Sequence, residues 1–359
     1  MIGANEPVQR SPQGKLLVID GCGQMQHAPR AAFVDFLEAS DLVIANDAAT
    51  LPASLQGWHF ESGARIEVRL AGRRSLDLDD VTHFVAIVFG DGDFHTRTED
   101  RPPPPQLAPG DRLVLGPLSA VIERTLDHPR LISLRFDAPP AAIWEGLARH
   151  GRPIQYAHLP TPLALWDVWT PIAGPPVAFE PPSAGFILDW SSLAALRNRG
   201  VGFATITHAA GISSTGDAKL DRRLPFDEPY RIPASTALAL RRARRNGGRI
   251  VAIGTTVVRA LEHAAARDGR VRAGFGIATQ RIGHATRLRI VDAIISGTHA
   301  PGTSHYELLR AFADDETLRK ASDELDTHGY RTHEFGDSML LERRMDCQGH
   351  KGQTRLLAA

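Results

Sequence analysis

Short apolar blocks broken by glycine and proline run through this chain, and their period changes twice. Residues 15–20 (Lys15-Leu-Leu-Val-Ile-Asp20) carry a buried-strand pattern ended by Gly21 and Gly23, and residues 41–45 repeat it before Asn46-Asp47. Between them Ala32, Phe33, Phe36 and Leu37 fall at helical spacing. From about residue 65 to 137 the texture becomes short alternating segments: 66–70, 83–90, 94–98, 112–115, 119–125 and 131–136 read as strands. Asp91-Gly92 and residues 127–130 read as hairpin turns. The run Arg101-Pro-Pro-Pro-Pro-Gln106 cannot donate ladder hydrogen bonds and reads as a stiff connector. Such spacing predicts a small antiparallel barrel or sandwich.

After Pro140 helices and strands alternate. Helices are expected over 141–150, 191–199 (closed by Gly200) and 235–245 (opened by a Ser/Thr cap, stopped by Asn246-Gly247-Gly248), with strands over 201–207 and 249–254. Thr255-Thr256 then open a helix whose buried stripe is Val257, Ala260, Leu261 and Ala264. Residues 288–294, 306–313 and 339–341 complete the pattern, and the proline-rich stretch 166–182 is expected to run extended along a surface or a cleft. The fold class predicted is α/β: a layered α/β main domain formed by residues 1–64 and 140–344, interrupted by a small antiparallel β-barrel at 65–139. The polar stretch 345–359 is expected to be a disordered tail.

Composition narrows the function. The chain has 359 residues, 43% hydrophobic and 23% charged, enough for two domains and against general disorder. No apolar run approaches the roughly 20 residues that cross a bilayer, and residues 1–14 lack the apolar stretch of a signal peptide, so a cytoplasmic protein without membrane contact is expected. Two cysteines cannot form a disulfide framework or a four-thiolate zinc site. Formal net charge is zero, so nucleic acid would need a local patch. The basic cluster is Arg241, Arg242, Arg244 and Arg245, with Arg249 nearby; it offsets the negative end of a helix or touches phosphate. Fifteen histidines lack metal spacing, His299 and His305 lack a carboxylate partner, and no metal is expected.

Three glycine-rich turns invite a ligand. Gly21-Cys-Gly23-Gln-Met-Gln26 lacks the third glycine of a dinucleotide site and reads as a strand-end turn. In Gly211-Ile-Ser-Ser-Thr-Gly216-Asp217 a carboxylate stands where a phosphate loop needs lysine. Gly254-Thr255-Thr256-Val-Val-Arg259-Ala-Leu-Glu262 is the better candidate. Thr255 or Thr256 can cap the helix, its first amides suit an anion or carboxylate, and Arg259 one turn on either adds a bidentate contact or pairs with Glu262.

Asn46-Asp47 with Leu51-Pro52-Ala53, the Gly254-Thr255-Thr256 to Glu262 segment, and Tyr330-Arg331 with Phe335-Gly336-Asp337-Ser338-Met339-Leu340 occur in an order that resembles the S-adenosylmethionine:tRNA ribosyltransferase-isomerases of queuosine biosynthesis. His27, Pro182 to Gly185, His208, Glu228 with Tyr230 and Pro233, Asp292, His299 and Pro301 fall in register with that family. The resemblance implies an α/β body with an inserted barrel. It implies S-adenosylmethionine as co-substrate, whose ribosyl part moves to 7-aminomethyl-7-deazaguanine in tRNA and isomerises as adenine and methionine leave. It further implies Asn46, Asp47, Gly254, Thr255, Thr256, Arg259, Gly336 and Asp337 as binding residues, and His208, Glu228 and His299 as proton-transfer candidates. The chain reads as a divergent member: Ala48-Ala49 replace the family's Thr-Arg, Ile187 its histidine, and Ser296-Gly297 precede Thr298 and His299 where the family reads Thr-Asn-Phe-His. Two alternatives stay open. One is an S-adenosylmethionine enzyme with a small-molecule acceptor in place of tRNA; the other is a non-catalytic nucleotide binder whose cleft Ile187 and Phe226 fill.

Overall fold

The computed structural model describes residues 1–345; of the tail expected at 345–359, all but Met345 lie outside the described residues. Its centre is a nine-stranded mixed sheet in the order Gly274–Ala278, Glu228–Ile232, Gly202–His208, Leu42–Asn46, Ile250–Ile253, Ala293–Gly297, Ser338–Glu342, Lys15–Ile19 and Met25–Pro29. Four neighbours in the middle, from Gly202–His208 to Ala293–Gly297, run parallel. Every residue of Leu42–Asn46 and of Ile250–Ile253 is buried, as near-continuous apolar runs in a sheet covered on both faces require.

Helix Thr255–Ala264 starts with Thr-Thr-Val-Val, a weak helix-forming run. Burial makes it a helix: Val257, Val258, Ala260 and Leu261 have no exposed surface, at roughly 1.5–3 kcal/mol for each larger side chain buried. Helix Trp190–Asn198 is fixed at its start by a capping box, Asp189 accepting from the Ser192 amide and Ser192 Oγ accepting from the Asp189 amide. The Ser/Thr cap expected near 235 is not there. Helix Ala234–Arg245 begins after Pro233 without a side-chain cap, and Thr236 Oγ1 donates to the Thr205 carbonyl instead.

The second unit is a closed six-stranded antiparallel barrel in the order Leu118–Thr125, Leu131–Phe136, His83–Phe89, Ala64–Gly72, Ser54–His59 and Arg112–Leu115. The layered α/β body with a barrel is thus present, but the barrel begins before residue 65, with Ser54–His59. Gly57 hides that strand in the sequence and is needed in it, because a Cβ there would collide with the Val114 carbonyl of the neighbouring strand. The segment expected as a strand at 94–98 is a turn, with Asp93 Oδ1 accepting from the His95 amide, followed by a short 3-10 helix, Thr98–Asp100. The chain enters and leaves the barrel side by side: the Ser54 and Arg152 backbones exchange hydrogen bonds of 2.8 and 2.9 Å.

No helix among the described residues is long and apolar enough to cross a membrane.

Candidate active site

The parallel strands end on one side of the sheet, where ligands of open α/β folds bind. There a cleft of about 530 Å3 is lined by Glu180 to Ala184, Gly211 to Ser213, Glu228, Gly254 to Thr256, Ser296 and His299. Gly254 adopts φ 93° and ψ 155°, a conformation that only glycine takes without strain, and its amide donates to the Ile295 carbonyl at 2.8 Å. This turn swings the helix start into the cleft. Gly254 is the N-cap residue, and no side chain caps the helix, so neither threonine does what the sequence suggested. The first amides are left open toward the cleft with their partial positive charge.

Gly254→Ala forces a Cβ onto that backbone, 3.4 Å from Ala184 Cβ. It is expected to weaken binding of S-adenosylmethionine, the ligand that the sequence resemblance implies, about tenfold or more by calorimetry, from strain of about 1–3 kcal/mol and tilted amides. Unchanged affinity would remove this helix start from the site.

Two carboxyl groups line the same cleft. Glu228 is buried; its Oε1 accepts from the Gly211 amide at 2.6 Å and its Oε2 pairs with Arg259. Burial pushes its carboxyl up, against the downward pull of Arg259. Glu180 has no ion pair among the described residues. Tyr156 donates its hydroxyl to Oε1, and the Ser213 amide donates to the same oxygen at 3.0 Å. Burial outweighs both bonds and raises the Glu180 carboxyl to about 7. A carboxyl half-ionised near neutral pH is suited to proton transfer. On another wall His299 accepts or donates a 3.0 Å hydrogen bond with Ser296 Oγ and stacks on His305, ring centroids 4.7 Å apart. Burial, with His305 and His333 nearby, holds His299 well below the usual histidine range, so its ring is neutral at pH 7.

A family model described as queuosine biosynthesis protein matches residues 1–341. The chain belongs to the queuosine biosynthesis protein family. Among relatives of this family, the S-adenosylmethionine:tRNA ribosyltransferase-isomerase of Thiobacillus denitrificans is 31% identical over 333 residues, which cover 92% of this chain and 90% of the relative. A protein of the same name from Ralstonia nicotianae is 33% identical over 316 residues, covering 87% and 83%. The crystal structure of S-adenosylmethionine tRNA ribosyltransferase from Thermotoga maritima superposes with a TM-score of 0.50 at 24% identity, covering 94% of this chain and 96% of that one; this likeness concerns the fold alone.

Several residues matching the queuosine-family motifs do not line the cleft and are hydrogen-bonded within the protein. Asn46 ties two parallel strands, its Oδ1 accepting from the His208 amide and its Nδ2 donating to the His208 carbonyl, both at 2.9 Å. Asp47 accepts from the hydroxyls of Thr205 and Thr207 at 2.8 and 2.7 Å. Gly336 and Asp337 stand at a different place, where Asp337 accepts from the amides of Lys15 and Arg331 at 2.7 and 2.8 Å. His208 is fully buried behind Glu228, its Nε2 3.3 Å from Glu228 Oε2 without hydrogen-bond geometry; burial first, and Arg259 second, keep it neutral. Arg259 lines the cleft, but its guanidinium is engaged with Glu228 and with the carbonyls of Phe226, Ala278 and Gln280. Glu262 is not its partner: that carboxylate accepts from the amides of Arg289, Ile290 and Val291.

The expected basic cluster sits at the wrong end of the sheet. Arg249 directly precedes strand Ile250–Ile253, whereas the cleft begins after it, and none of Arg241, Arg242, Arg244, Arg245 and Arg249 lines the cleft. Arg249 is engaged with Asp41 and Glu342, and Arg244 with Asp292. The cleft has a basic rim of other residues, the exposed Arg222 and Arg281, neither of which has an ion pair among the described residues. A His158, His333 and Glu334 group also exists, with ligand atoms within 4.8 Å of one another. His158 already pairs with Glu334 at 3.1 Å and its ring stacks on His333, which accounts for the grouping.

Proposed function

We propose that this chain transfers the ribosyl moiety of S-adenosylmethionine to 7-aminomethyl-7-deazaguanine in tRNA and isomerises it to an epoxycyclopentanediol, with release of adenine and methionine. The observation that carries the reading is that the uncapped helix start at Gly254 and two buried carboxyl groups, Glu180 and Glu228, line the same cleft. S-adenosylmethionine joins an anionic carboxylate to cationic ammonium and sulfonium groups, so a cleft lined both by free helix amides and by acids fits it. The cleft volume lies within the range of small-molecule sites.

In this reading the amides of Thr255 and Thr256 hold the methionine carboxylate. The Glu228 carboxylate, kept in place by Arg259, faces the cationic part of the molecule. Glu180 accepts the proton from the carbon beside the sulfonium, whose positive charge acidifies it. Neutral His299 donates a hydrogen bond to the departing adenine as negative charge develops there. Asn46 and Asp47 act through the strands they tie. Arg222 and Arg281 meet tRNA phosphates at the rim.

The placement of the Arg241 to Arg249 cluster away from the cleft favours the small-molecule acceptor; the Arg222 and Arg281 rim favours tRNA. A non-catalytic scaffold loses its motive, because neither Ile187 nor Phe226 lines the cleft. Incubating the protein with S-adenosylmethionine, with and without tRNA carrying the aminomethyl base, separates these by mass spectrometry of adenine and methionine. Release that depends on tRNA is expected. Release without tRNA would favour the small acceptor, and binding without release the non-catalytic protein.

A further inference from the structure

Tryptophan is the side chain a soluble protein has most reason to cover, yet three of the five in this chain are bared in one place. Trp166, Trp169 and Trp190 are 76%, 41% and 78% exposed and line a second, open cavity of about 570 Å3 with Arg10 and Asp189. No two of these rings stack on each other among the described residues, and Trp166 and Trp190 each keep more than three quarters of their surface exposed. The platform is also held rigid. Gln9 Nε2 donates to the carbonyls of Asp167 at 2.7 Å and Trp169 at 2.9 Å, and the buried Arg30 donates to the Gln9 carbonyl at 2.6 Å. Trp169 Nε1 donates to the Thr50 carbonyl at 3.0 Å, which fixes its ring edge. Trp190 opens helix Trp190–Asn198 immediately after the capping residue Asp189.

We infer that this cavity is a stacking site for unpaired nucleobases, and that its occupant is the stretch of tRNA adjoining the base that enters the cleft. The inference rests on the tRNA reading proposed above. Exposed flat aromatic faces suit bases of any sequence. The charge around them suits a phosphodiester backbone: Arg10 is exposed at the cavity, and Arg197, seven residues beyond Trp190, shares that residue's exposed helix face, neither in an ion pair among the described residues. Two acids also stand at the cavity, held on backbone amides, Asp189 on Ser192 and Asp167 on Ala164, and they keep their charge beside Arg10, so a phosphate is met by Arg10 and Arg197 on their solvent side. Position supports the same occupant. One stretch of chain joins the two sites: Ser183 and Ala184 line the cleft, Gly185 packs on Thr170, and Asp189 and Trp190 line the cavity. Eight residues at about 2–3.3 Å each keep the sites within about 25 Å.

The test uses the full chain and the double variant Trp166→Ala, Trp190→Ala, with an anticodon stem-loop as RNA probe. Stem-loop is expected to quench wild-type tryptophan fluorescence. The variant is expected to raise the KM for tRNA about 5- to 100-fold for each stacked base lost, with kcat, S-adenosylmethionine affinity and melting temperature unchanged, since neither ring supports the core. An unchanged KM in the variant, or absent quenching by a wild type that turns tRNA over, would overturn the inference. So would a shift in sedimentation between wild type and variant, which would assign the rings to contact between protein copies. A wild type that quenches with RNA yet releases no adenine would keep the stacking site and discard the proposed function.

Discussion

Glu180→Gln is expected to lower turnover about 100- to 10,000-fold, the range for loss of a positioned proton acceptor. Glutamine keeps the shape and still accepts from Tyr156 and the Ser213 amide, so binding of S-adenosylmethionine should survive while the proton is no longer taken. In the wild type kcat/KM should rise with pH as Glu180 ionises, with its midpoint at about 7; in the variant that rise should vanish. Stability carries a second signature, of opposite sense. Between the ordinary carboxyl value of 4.5 and about 7 the folded state keeps a proton that the unfolded state has given up. The wild type therefore loses stability as pH rises through this window, by about 3 kcal/mol in all, and the variant does not. Melting curves at pH 5 and pH 8 for both proteins measure the difference. A variant with wild-type turnover and an unaltered pH profile would end the assignment.

The largest loss of stability is expected from Arg259→Met. It leaves the buried Glu228 carboxylate without its cation and removes the donors to three carbonyls. Removing one member of a buried pair costs about 3–5 kcal/mol, because the remaining charge stays desolvated. Adding Glu228→Gln should restore part of the melting temperature, since a neutral amide tolerates the site. If the single variant melts with the wild type, Arg259 is not the support described.

The strands at 15–19, 42–46 and 250–253 and the stripe of the Thr255–Ala264 helix were legible because their apolar residues recur at the period of the element. Helix Asp315–Thr327 escaped notice: it buries little beyond Leu318, Ala321 and Leu325, too thin a stripe to stand out in a charged stretch. Its cap, Asp314 accepting from the Thr317 amide, was nevertheless written in the sequence. Glu180 could not be found by period, since it lies in Phe-Glu-Pro-Pro and its raised carboxyl comes from burial in the folded chain, against the hydrogen bonds of Tyr156 and Ser213, both distant in sequence. Motif resemblance assigned ligand roles to Asn46, Asp47, Gly336 and Asp337, whereas their side chains or backbone are committed to the protein itself. A motif marks where the framework must be kept, and only three-dimensional contacts separate the residues that hold the walls from those that face the space between them.

The paired hydrogen bonds between Ser54 and Arg152 have a bearing on how such a molecule could be assembled. Because the two chain crossings are clasped together, everything between them leaves the host sheet through a single narrow doorway. An ancestral body could therefore have gained this closed unit, or exchanged it for another, without breaking a strand pairing of its own.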